Sequence, residues 1–134
     1  MNIRAALYSA LAAASPVTSK LATYGSAPAI FTARPVPADA ARPYLALSMV
    51  ADPSEDVLNA TRRRAVYDVA AVLDYTGSTA ATDLLAEAIR TALHQQRLTI
   101  SSAHNIETRI IGATEAATDA TLTGVTFTVE VRAR

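Results

Sequence analysis

A chain of 134 residues, 51% of them hydrophobic, fits one domain over residues 1–134 with one real core rather than a disordered tail. Twelve Lys and Arg balance twelve Asp and Glu, which removes the basic footprint of a protein whose main task is gripping nucleic acid and favours association instead. Zero cysteines exclude a disulfide framework, thiolate chemistry and a zinc ribbon, and 5% aromatics without Trp argue against base-stacking platforms, so the simplest compartment is the cytosol.

The first segment imitates a signal peptide, with Arg4 ahead of an Ala/Leu-rich run and Ala12-Ala13-Ala14. Tyr8 and Ser9 interrupt that run, and Ile3, Leu7 and Leu11 recur every four residues, so the spacing predicts a helix burying one stripe. Ser15 and Pro16 then predict an N-cap and a first helical residue for a short turn reaching about Leu21, which Tyr24-Gly25-Ser26 ends. The prolines from Pro28 to Pro43 forbid a long helix and predict an extended arm, in which Ala29-Ile30-Phe31-Thr32 suits a short edge strand. Nowhere does an uncharged apolar run reach the length of about 18 residues that crosses a bilayer.

Alternation resumes over Pro43–Val50, with Tyr44 and Ala46 set against Leu45, Leu47 and Met49, as in a half-buried strand that stops at Asp52-Pro53. Ala51 to Thr61 lacks periodicity and reads as a polar loop between antiparallel strands. Tyr67, Val69, Ala71, Leu73 and Tyr75 then share one strand face, and Val66, Asp68, Ala70, Val72 and Asp74 the other. After a cap at Ser78 or Thr79, the residues Leu84, Leu85, Ala88, Ile89, Ala92 and Leu93 predict an apolar helical stripe lying on the sheet. Two strands follow, around Ile106–Ile111 and Val125–Arg132, joined by an Ala/Thr-rich tip from Gly112 to Thr121. The whole predicts an α+β domain: an antiparallel-rich sheet, two N-terminal helical segments and one long amphipathic helix packed on it.

No constellation in this sequence suits chemistry. His94 and His104 lack a ligand spacing, and His94 reads as a polar residue at a helix C-terminus. The glycines at 25, 77, 112 and 124 are too dispersed to cradle phosphate, and no G-x-S-x-G elbow occurs. Asp68 and Asp74, six residues apart on a strand, stand roughly 20 Å apart and cannot share a proton. These readings predict no enzyme, no cofactor and no metal site.

The sharpest charge feature is Arg62-Arg63-Arg64. A solvated strand start is its plainest reading. An intersubunit role is the next, with the arginines meeting Asp52, Glu55 and Asp56 of a neighbour, because the planar guanidinium fork binds carboxylates bidentately. Contact with DNA is the third, and it requires further arginines on the same face and steep salt dependence.

The order of elements resembles the tail terminator or tail completion proteins of long-tailed bacteriophages and phage-like gene transfer agents. The resemblance is carried by the Asn2–Leu11 helix, Ser15-Pro16-Val17, the approach through Arg42-Pro43-Tyr44-Leu45, the Tyr67–Leu73 strand, the Ala81–Leu93 helix and the closing hairpin. It implies a virion protein without catalysis: a homohexameric ring on the last ring of tail tube protein, which stops tube polymerisation and meets the head's connector or stopper. It further implies DNA passing through the lumen without specific binding, no membrane partner, a position at the head-proximal end of the tail, and assembly in the bacterial host cytoplasm. The Ala51–Thr61 loop and the Gly112–Thr121 tip are then expected to order on meeting the tube or connector. Two readings from other classes stand beside it: a small α+β enzyme or ligand-binding domain, and a weak nucleic-acid-binding module using Arg62, Arg63 and Arg64.

Overall fold

A computed structural model describes residues 2–33, 35–51, 63–74, 77–100, 104–117 and 122–134. Helix α1 spans Ile3–Ala13, and its first turn is capped by Asn2, whose Oδ1 accepts from the Ala5 N–H at 3.0 Å. Ile3, Leu7 and Leu11 are buried, as their spacing predicts. Helix α2 is a single turn, Ser15–Thr18, and here the expected cap is displaced by one residue: Ala14 holds the capping position with no side-chain bond, and Ser15 is already helical. The following chain does not simply stop. Gly25 and Ser26 both adopt positive φ, 57° and 70°, and this two-residue turn folds β1 (Thr23–Tyr24) against β2 (Ala27–Pro28).

The main sheet has the order β3-β4-β5-β7-β6, built from β3 (Ile30–Phe31), β4 (Tyr44–Ala51), β5 (Arg63–Asp74), β6 (Asn105–Ala117) and β7 (Leu122–Ala133). Only β3 runs parallel to its neighbour, pairing at Ile30↔Leu45 and Phe31↔Ala46, so the expected short edge strand exists. β4 pairs antiparallel with β5, β5 with β7, and β7 with β6. Gly124 stands opposite Val72 where the two backbones approach so closely that a Cβ would overlap the Ala71 carbonyl oxygen.

Helix α3, Ala80–Leu93, crosses one face of this sheet with α1 and α2 beside it. Its Leu85, Ile89 and Leu93 meet Leu7, Leu11 and Val17 from the N-terminal helices and Tyr67, Val69, Phe127, Val129 and Val131 from the central strands. Fully burying each such side chain is worth about 1.5–3 kcal/mol. Two arginines lie over rings of the sheet: Arg4 is 5.8 Å from the Tyr67 centroid and Arg90 5.4 Å from that of Phe127.

Several expectations are corrected. Leu84 does not belong to the buried stripe but is 61% exposed, because Ala88 and Leu85 already fill the side of α3 that faces the sheet. Met49 does not join Leu45 and Leu47 in the core; it is 51% exposed where β4 runs past the helices. The Gly112–Thr121 tip is not a loop throughout, since residues 112–117 continue β6 and pair with β7 from Gly112↔Thr128 to Ala117↔Thr123. Small residues without hydrophobic alternation conceal that strand, which is held in register by β7, Ala113 standing opposite Phe127 and Glu115 opposite Val125. Asp52 to Thr61 and Tyr75 lie outside the described residues.

Candidate interaction surface

The sheet face opposite the helices carries a dense polar cluster, and antiparallel register builds it. Arg64 stands opposite Arg132, Val66 opposite Glu130, and Glu130 opposite Arg109. Glu130 is thus ringed by arginines from β5, β6 and its own strand. Arg64 donates Nε and Nη2 to Glu130 Oε2, at 3.0 and 2.9 Å. Glu130 Oε1 lies 3.1 Å from Arg132 Nε and 3.9 Å from Arg109 Nη2, without the alignment of a hydrogen bond. The glutamate side chain is 1% exposed while the arginines keep 38%, 47% and 43% of their surface for Arg64, Arg109 and Arg132. The carboxylate is therefore sealed beneath guanidinium groups that retain water.

That arrangement fixes its charge. The hydrogen bonds from Arg64 hold the Glu130 carboxyl below the ordinary carboxylate range, against the opposing effect of burial, with the charges of Arg64, Arg109 and Arg132 adding to the pull. Further along the same face Asp68 accepts from Thr128 Oγ1 at 3.1 Å, and Asp74 pairs with Arg42 Nε at 2.6 Å. The two aspartates are separately engaged, and no acid/base dyad forms between them.

At the sheet's end, Asn105 is a buried hub. Its Oδ1 accepts from the Leu98 N–H and the Thr108 hydroxyl, at 2.9 and 3.1 Å, and its Nδ2 donates to the carbonyls of Glu107 and Arg132, at 3.2 and 3.0 Å. His94 ends α3 as expected, and its Nδ1 accepts from the Ile110 N–H at 3.1 Å while the Gln95 N–H donates to Thr108 O at 2.8 Å. The imidazole thus works as an acceptor against β6. Tyr24 donates to Asp39 at 3.2 Å, and the Asp39 charge raises the phenol pKa.

Of the arginines singled out in the sequence, Arg64 is engaged with Glu130 inside its own chain and Arg63 opens β5 opposite Ala133. Arg62, Asp52, Glu55 and Asp56 lie outside the described residues. Sequence reading missed Glu130, Arg109 and Arg132. Glu130 and Arg132 alternate onto one face of their strand, but only the β5–β7 register brings Arg64 to them. Among the described residues no three His, Asp or Glu side chains gather as a metal site would require.

The fold is α+β, and the polar groups on its open sheet face hold one another in place. The comparisons name the class: the chain belongs to the Tail completion protein gp17 family, whose model matches residues 5–134. It is a structural tail protein, and the family is not one of enzymes. A solved chain in the virion of a native gene transfer agent (GTA) particle has the same fold, with a TM-score of 0.78 at 19% identity, covering 98% of this chain and 93% of that one. No curated protein matches the chain.

Proposed function

We propose that this chain forms a homohexameric ring that caps the tail tube, ends tube polymerisation and joins the tail to the head connector. The observation that carries the reading is the family match over residues 5–134. The fold of a virion subunit in a gene transfer agent supports it. The ring sits at the head-proximal end of the tail, is assembled in the host cytoplasm, and passes DNA through its lumen without gripping it, in keeping with equal numbers of acidic and basic residues. A ring needs two different patches per subunit that meet head to tail and close. The candidate contacts are Asp52, Glu55 and Asp56 on one copy and Arg62 and Arg63 on the next, with Arg64 held beside them by Glu130.

The test is the native mass, by light scattering over a concentration series, alone and with purified tail tube protein. A hexamer mass in either condition supports the reading. A monomer at every concentration, with and without tube ends, contradicts it.

A further inference from the structure

Charge does not balance on the open sheet face. Arg64, Arg109 and Arg132 surround the single carboxylate of Glu130, three positive charges to one negative. Arg64 stands directly opposite Arg132, and Arg109 is its diagonal neighbour across β6 and β7. Like charges facing each other on paired strands repel. Among the described residues Arg64 alone supplies the side-chain hydrogen bonds that Glu130 accepts, so the other two arginines are surplus to holding it.

Arg109 and Arg132 also have donors to spare. Both keep more than two-fifths of their side-chain surface, at 47% and 43%. Among the described residues neither guanidinium donates a hydrogen bond: Arg109 Nη2 lies 3.9 Å from Glu130 Oε1, and Arg132 Nε, 3.1 Å from the same oxygen, is buried and misaligned. Other carboxylates of this face do not fill the gap. Glu107, opposite Arg132, forms no ion pair among the described residues and lines a hollow at the sheet edge with Gln95, Gln96 and Arg97. Asp68 accepts from the Thr128 hydroxyl, and Asp74 pairs with Arg42.

We propose that Arg109 and Arg132 form a binding site for the acidic side chains of a protein partner; the site stands independently of the ring reading above. A guanidinium fork matches a carboxylate, and an incoming anion relieves the repulsion among the three arginines. Arg64 stays with Glu130 and is no part of the site. A nucleic-acid backbone fits this face less well. Glu107 opposite Arg132 and Asp68 opposite Thr128 bracket the arginines along the strands, so a run of phosphates would pass over negative charge, whereas one or two carboxylates fit between.

The test uses the chain alone, at low ionic strength, with the arginine Nε–Hε signals followed by NMR. The probes are a terminally blocked peptide of two glutamates and a short oligothymidylate. The proposal expects the peptide to shift the Arg109 and Arg132 signals saturably, to leave those of Arg42 and Arg90 in place, and to bind more tightly than the oligothymidylate. Arg109→Gln, which removes no hydrogen bond among the described residues, is expected to weaken the peptide about tenfold. Arg90→Gln, on the helical side, is expected to leave its affinity unchanged. Absence of any shift at Arg109 and Arg132 overturns the proposal, as do equal shifts at all exposed arginines, unaltered affinity in Arg109→Gln, or tighter binding of the oligothymidylate. None of these outcomes touches the ring, which the native mass tests separately.

Discussion

Arg64 reaches across from β5 to grip Glu130 on β7 with two nitrogens on one carboxylate oxygen, although the residues are 66 positions apart in the chain. The contact joins the central strands on the face the helices leave uncovered. Arg64→Ala deprives a buried carboxylate of its only hydrogen-bonded arginine among those described, leaving the unaligned contacts of Arg109 and Arg132. A loss of about 1.5–3 kcal/mol is expected, measurable by urea denaturation. A change below about 0.5 kcal/mol, the level of an ordinary surface substitution, contradicts the role given to this pair.

The same pair sets a pH dependence. The folded-state pKa of Glu130 is lowered, chiefly by the Arg64 hydrogen bonds, so its contribution is full above the ordinary carboxylate pKa and is lost as pH falls through the lower folded value. Wild type should therefore lose more stability than Glu130→Gln as pH falls from 6 to 3, a span that crosses the ordinary carboxylate pKa of about 4.3 and runs on toward the lowered folded value. Parallel melting-temperature curves for the two proteins would refute this.

Asn105 satisfies both ends of its amide inside the protein. Asn105→Asp keeps the shape but loses the two donors to the Glu107 and Arg132 carbonyls and buries a charge. Asn105→Leu removes all four bonds and strands the Leu98 N–H. Each is expected to cost about 2–4 kcal/mol, since unsatisfied buried groups cost about 1–3 kcal/mol apiece. Wild-type denaturation midpoints would show that the hub is dispensable.

Neighbouring leucines on α3 separate burial from exposure. Leu85 is fully buried, and Leu85→Ala should cost about 2–5 kcal/mol. Leu84 is 61% exposed at a shallow apolar hollow with Lys20, Pro43 and Leu73, so Leu84→Ser should change stability by about 0.5 kcal/mol or less. Equal losses for the two variants would place Leu84 in the core after all.

What the sequence made legible follows period and burial. The four-residue recurrence of Ile3, Leu7 and Leu11, and the alternation of Tyr67, Val69, Ala71 and Leu73, each identify a face that the core then covers. Where that signal is weak the reading failed. Gly112–Ala117 is strand because β7 pairs with it, and Leu84 is exposed although it is as hydrophobic as Leu85. The Glu130 cluster depends on register between strands far apart in sequence, which no single strand's pattern contains. The family resemblance, by contrast, was carried by the order of elements, and the match over residues 5–134 bears it out.

The central claim, a ring that ends the tail tube, is tested most directly on growing tubes. Tail tube protein is allowed to polymerise with and without this chain, the chain carrying a gold label, and tube lengths and label positions are read by electron microscopy. The account predicts that amounts far below those of tube protein halt elongation, with label at one end of each tube. Unchanged lengths, with label absent or scattered along the walls, would contradict it.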